Sequence, residues 1–112
     1  MQVTLTEHDT TTLIKITGSV DGLNAEALSS SFAAPIAQGR VRLVVDFSSV
    51  NYTSSAGLRS LLGAVKDSRR GGGDLRIAAL QPQVERVLAL AGFTGIVQIF
   101  ADVQAATASF QS

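Results

Sequence analysis

The alternation of apolar and polar positions divides the first half of the chain into strands and one helix. Val3 and Leu5 alternate with Thr4 and Thr6, which predicts a half-buried strand. Asp9-Thr10-Thr11 turns the chain, and Leu13-Ile14-Lys15-Ile16-Thr17 returns as a second strand in the same hairpin. Gly18 ends that strand and Ser19-Val20-Asp21-Gly22-Leu23 forms a loop. Asn24 is placed to cap a helix with Ala25, Leu28, Phe32 and Ile36 on its inner face. Pro35 must kink or end that helix, because it lacks a backbone donor. Gly39 then turns into a third strand, Arg42 to Phe47, whose Leu43-Val44-Val45-Asp46-Phe47 reads as buried.

The second half continues the alternation. Leu58, Leu61, Leu62 and Val65 recur at the spacing of one buried helical face, so a helix is predicted from about Ser55 to Arg70. Gly71-Gly72-Gly73 closes it, and Leu75 to Ala79 gives a fourth strand. Pro82 suits the first turn of a third helix, which carries Val84, Val87, Leu88 and Ala91 inward and stops at Gly92. Ile96 to Phe100 is a fifth strand, and Asp102 caps a last helix with Val103, Ala106 and Phe110 inside. The expected fold class is α/β: a mostly parallel five-stranded sheet with an antiparallel N-terminal strand, about four helices and right-handed crossovers. No repeat, linker or low-complexity tract interrupts the pattern, and residues 1–112 read as one domain with one core.

Charge and composition narrow the partners. Nine Lys and Arg residues balance nine Asp and Glu, so no net field draws in nucleic acid or an anionic membrane. The arginines are scattered and aromatics sparse, which argues against a nucleic-acid surface. Cysteine is absent, which removes disulfides and thiolate metal sites and fits a reducing compartment. The N-terminus lacks the charged region and apolar run of a signal peptide. No apolar segment approaches the roughly 20 residues that span a bilayer. The expectation is a soluble, cytoplasmic domain that contacts no membrane.

The stretch Asn51-Tyr52-Thr53-Ser54-Ser55-Ala56-Gly57-Leu58-Arg59 concentrates the candidate chemistry. Its three hydroxyls precede the helical leucine row, where backbone N–H groups and the positive end of a helix dipole favour an added negative charge. Functional groups of an open α/β sheet collect beyond the C-terminal ends of the strands. That rule brings Asp21, Asp46 and Ser55 to one edge. Two readings stay open on spacing alone: a phosphorylated serine with acidic neighbours, or carboxylates that satisfy loop amides beside a Thr53 or Ser54 that merely caps.

Other chemistries fit poorly. A serine nucleophile needs a base, and His8, the only histidine, lies in the first hairpin. There is no Gly-x-Ser-x-Gly elbow, and neither Lys15 nor Lys66 has Ser-x-x-Lys spacing. Asp21 and Asp46 lack an obvious third metal ligand. The triple glycine follows a helix and precedes a strand, the reverse of a phosphate-binding loop. Asp46 has the place of a receiver aspartate, but the lysine expected near the end of the last strand is replaced by Ile99, Phe100 and Ala101.

Val44-Val45-Asp46-Phe47-Ser48-Ser49-Val50-Asn51-Tyr52-Thr53-Ser54-Ser55-Ala56-Gly57-Leu58 resembles the signature of STAS domains, and within them most the bacterial anti-sigma factor antagonists. The likeness extends over essentially the whole chain, so it implies a single STAS-like domain. It implies that Ser55, two residues before the Gly-Leu pair, is phosphorylated by an anti-sigma factor that is itself a histidine-kinase-like ATPase. Unmodified antagonist would bind that factor and free the sigma factor, and a metal-dependent serine phosphatase would reset it. No cofactor is implied. Asp21, Leu23, Asp46, Asn51, Thr53, Ser54, Ala56, Gly57 and Arg59 fall on the implied partner-binding surface. Ser54 stands where the family often has aspartate, Ala56 where a second hydroxyl is common, and Arg59 where glycine is frequent. The alternative is a STAS scaffold that is never phosphorylated, an adaptor in a transporter or signalling complex.

Overall fold

Period-two alternation sorts the strands of the computed structural model into two unlike faces. The structure describes residues 1–111. The strands are β1 (Gln2–His8), β2 (Thr11–Thr17), β3 (Arg42–Ser49), β4 (Asp74–Ala78) and β5 (Ile99–Phe100). The helices are α1 (Ala25–Ala37), α2 (Ser55–Arg70), α3 (Pro82–Leu90) and α4 (Val103–Ala108), with a 3-10 turn at Phe93–Gly95. The strands lie in sequence order, β1 antiparallel to β2 and every later pair parallel.

Ile14 and Ile16 on β2, Leu43, Val45 and Phe47 on β3, and Leu75 and Ile77 on β4 all point to one side. There they meet Leu28 and Phe32 of α1, Leu61 and Val65 of α2, and Val84 and Leu88 of α3. A sheet that grows in one direction through crossovers of one hand places every crossover helix on the same face. The opposite face is covered by α4, where Ala106 packs on Val44 and Ala78 with Leu13, Phe100, Val103 and Phe110 around them. Arg76 stacks 3.9 Å over the Phe110 ring and binds the Ser109 hydroxyl at 2.8 Å, which holds the end of α4 down.

Several elements depart from the pattern read in the sequence. β1 is exposed along nearly its whole length, because it is an edge strand with no helix over it. α1 runs through Pro35 to Ala37, so the proline sits in the last turn without breaking it. Asn24 stands at the N-cap position of α1 but makes no side-chain bond to the helix. β3 continues two residues past Phe47, with a register irregularity between Lys15 and Thr17 of β2. β4 ends before Ala79, whose φ of +62° is left-handed. On α3, Val84 and Leu88 are buried as expected, but Val87 and Ala91 face solvent. The expected fifth strand from Ile96 shrinks to two residues, because Ile96 and Val97 both donate backbone bonds to Phe93 O at 2.9 Å and wind into the turn instead.

Candidate functional site

Two loops that are far apart in sequence are joined into one surface. The β2–α1 loop and the β3–α2 loop share a parallel bridge between Val20 and Thr53. Val20 N donates to Tyr52 O at 2.9 Å, and Ser54 N donates to Val20 O at 2.8 Å. Gly18 N donates to Ser49 O at 2.9 Å, and the Ser19 hydroxyl reaches Asn51 Oδ1 at 2.8 Å. Such pairing satisfies backbone groups that a mobile loop would leave to water. The two loops therefore pair much of their backbone with each other.

The three hydroxyls of the α2 mouth have separate duties. Thr53 is 7% exposed, packed beneath the bridge. Ser54 is the N-cap, extended at φ −87° and ψ 171°, and its Oγ accepts the Gly57 N–H at 3.1 Å. Ser55 is the first helical residue and is exposed. The N–H groups of Ser55 and Ala56 are among those of the first turn that no intrahelical carbonyl can take. No acidic residue lies in that turn, so the positive end of a 16-residue helix faces solvent uncompensated. Arg59 is exposed four residues along the same helix, a spacing that puts it on the side of Ser55.

Gly57 is fitted to this arrangement. A Cβ there would lie 2.5 Å from Thr53 Oγ1 and 2.7 Å from Val20 Cγ1, so a side chain at this position would have to displace Thr53 or Val20. α2 is tied to α1 as well: Ser60 Oγ donates to Ala25 O at 2.9 Å and accepts from Ser29 Oγ at 2.7 Å.

The other expected residues fall into three groups. Asp21 lies in the joined loops, where one carboxylate oxygen accepts the N–H of Leu23 at 2.9 Å and of Asn24 at 3.0 Å. Asn24 answers by accepting the Asp21 N–H at 2.9 Å and donating to Ser19 O at 3.0 Å. Leu23 is 97% exposed and Asn51 is exposed, both on this surface, and Ala56 is half-buried at the helix start. Thr53 and Gly57 support the surface from behind. Asp46 is not brought to Ser55: it alternates with Val45 and Phe47, so it points with Val44 to the α4 face. There its carboxylate accepts the Ser48 N–H at 2.9 Å.

Tyr52 was missed by the sequence reading. It is 52% exposed between Asn51 and Thr53, and with Leu23 it gives the joined loops two apolar side chains in solvent. The signal was available, since it is the only tyrosine in a chain whose aromatic content is 5%. Among the described residues no group of three His, Cys, Asp or Glu could hold a metal ion, and no helix is long and apolar enough to cross a membrane.

The architecture has known counterparts. The sequence model of the STAS domain matches residues 2–106. The chain belongs to the STAS domain family. Within it, the similarity lies with the anti-sigma factor antagonists. BtrV of Bordetella bronchiseptica, named as a candidate anti-sigma factor antagonist, is 34% identical over 112 residues, which is 100% of this chain and 97% of BtrV. A candidate anti-sigma factor antagonist of Thermotoga maritima superposes with a TM-score of 0.93 at 20% identity, over 98% of this chain and 95% of that one. The Bacillus cell fate determinant SpoIIAA in its phosphorylated form superposes with a TM-score of 0.78 at 19% identity, over 98% of this chain and 100% of that one. These two structures establish the shared fold.

Proposed function

We propose that the chain is an anti-sigma factor antagonist switched by phosphorylation of Ser55, and that residues 1–112 act as one domain. Unmodified, it docks on an anti-sigma factor with a histidine-kinase-like ATPase domain and so releases a sigma factor. That kinase transfers a phosphoryl group from ATP to Ser55 Oγ, with loss of the hydroxyl proton and departure of ADP. A metal-dependent serine phosphatase returns the hydroxyl. The chain itself is a binding module in the cytoplasm and catalyses no step.

One observation carries this reading. Of three consecutive hydroxyl residues, Thr53 is packed away and Ser54 is occupied as the cap, while Ser55 is exposed at the helix end. Leu23, Asn51, Tyr52, Ala56 and Arg59 are the proposed contacts around it. Asp21, Thr53, Ser54 and Gly57 hold the loop shape, and Asp46 acts only through the turn at Ser48.

Magnitudes place the effect at the interface. A phosphate adds about −1.5 to −2 charges at neutral pH. At the end of α2 that charge gains roughly 0.3–1 kcal/mol, and an exposed ion pair with Arg59 adds roughly 0–1 kcal/mol. The modified fold is therefore slightly favoured. A partner surface fitted to a neutral hydroxyl loses several kcal/mol when it meets a desolvated or like charge, about a hundredfold or more in affinity. The partner's loss outweighs both gains, and release follows.

The test is displacement. Adding wild-type chain to a preformed complex of sigma factor and anti-sigma kinase should free the sigma factor, measured by size-exclusion chromatography, whereas Ser55→Asp should not. Equal displacement by both proteins would leave a STAS adaptor without this switch.

A further inference from the structure

The two edges of the sheet are finished differently. β5 presents two residues, Ile99 and Phe100, and leaves little backbone open. β1 presents seven, paired to β2 along their whole length in unbroken register. Among the described residues, no strand and no backbone hydrogen bond engages its other side. A row of free N–H and C=O groups templates another strand, and soluble proteins blunt it with proline, lysine, a bulge or a covering loop. Gln2-Val3-Thr4-Leu5-Thr6 has no proline and no charge. Val3 is half-buried against the core, Leu5 is 44% exposed, and the apolar layer ends at this strand in solvent.

We infer that β1 pairs with β1 of a second copy of the chain, joining two five-stranded sheets into one. A two-fold axis normal to the sheet makes the strands antiparallel and keeps the helix-covered faces together. Facing residues must then share a face, which limits the register to steps of two in summed residue number. A register centred on Leu5 sets Val3 against the partner's Glu7, and one centred on Thr6 sets Leu5 against the partner's Glu7. Centring on Val3 pairs only Gln2, Val3 and Thr4 within the two strands and leaves Leu5 with no strand residue opposite it. Centring on Thr4 sets Val3 against the partner's Leu5 and Leu5 against the partner's Val3. Thr4 then meets the partner's Thr4, and Gln2 meets the partner's Thr6. This register matches apolar to apolar on the helix side and polar to polar on the other. It also sends Glu7, His8 and Asp9 of the two copies to opposite ends, so no like charges face each other. The strand complements itself, which selects a second copy as its occupant. A contact of this length lies at the small end of specific interfaces, so the dimer is reversible and concentration-dependent.

The chain has no cysteine, so Thr4→Cys places a single thiol at the axis. Facing Cα atoms there are about 4.5–5.5 Å apart, within the span of a disulfide. Mild oxidation of concentrated full-length Thr4→Cys should give a covalent dimer at least about tenfold faster than Ala34→Cys, a control on the exposed side of α1. Sedimentation velocity of the wild type should show a dimer fraction that grows from micromolar to millimolar concentration. Leu5→Lys, which supplies the missing edge lysine, should weaken that dimer about tenfold, since the axis repeats each lost pair. Circular dichroism checks that the variants are folded. A wild type that stays monomeric, a dimer unaffected by Leu5→Lys, or equal cross-linking of the two cysteine variants would each overturn the assignment.

Discussion

The mouths of α1 and α2 are built from the same residue types and spend them in opposite ways. At α1, Ser19, Asp21 and Asn24 bond to one another's backbone or across to Asn51, and none caps the helix. Glu26 in the first turn of α1 supplies the negative charge that this end favours. At α2, a single side chain, Ser54, closes the cap, and the first turn holds no acid. One mouth has an acid in its first turn and no side-chain cap, and the other has a cap, no acid and an exposed hydroxyl at an electropositive end. Cap chemistry and modification chemistry draw on the same orphan N–H groups. The proposed switch rests on that division, with Ser54 doing the capping and the charge at the helix end left open.

Four changes test that contrast, in order of expected size. Ser55→Asp should lower affinity for the anti-sigma kinase by about a hundredfold or more, measured by isothermal titration, while the melting temperature stays nearly constant. A domain that melts instead would move the effect from the interface to the fold. Gly57→Ala forces a methyl group against Thr53 and Val20. Overpacking of about 1–3 kcal/mol, less about 0.5–1 kcal/mol of helix gain, leaves a net loss of up to roughly 2.5 kcal/mol in urea unfolding. A stabilised variant would mean that the two loops are not held this closely.

Ser54→Ala should cost about 1 kcal/mol of stability through the lost cap, yet Ser55 should still accept phosphate. Loss of modification with the fold intact would show that Ser54 does more than cap. Asp46→Asn should change partner affinity by about twofold at most, because its carboxylate lies on the α4 side and amide oxygen can still accept the Ser48 N–H. A large loss would place Asp46 in the contact surface after all.

What the chain's own order made legible follows from how local each signal is. α2 spans Ser55 to Arg70 as read, since a capping serine, a leucine row and a glycine run all act within a few residues. Asp102 likewise caps α4, accepting the Ala105 N–H at 2.7 Å. The fifth strand was misread because Ile96 to Phe100 is equally apolar as strand or turn, and Phe93 decides by taking the backbone donors. The loop pairing was illegible for a different reason. Ser19 and Asn51 are 32 residues apart, and no local pattern announces that Val20 will pair with Thr53. That pairing fixes which hydroxyl is buried, which caps and which stays exposed.

The central claim is that of these hydroxyls Ser55 alone takes the phosphate, and mapping the modified residue tests it most directly. Wild type and Ser55→Ala, each incubated with ATP and the anti-sigma kinase, are compared by intact mass and then by fragmentation of the Asn51–Arg59 region. One phosphate on the wild type, located on Ser55 and missing from Ser55→Ala, is the predicted result. Phosphate on Thr53 or Ser54, or undiminished modification of Ser55→Ala, would contradict the account.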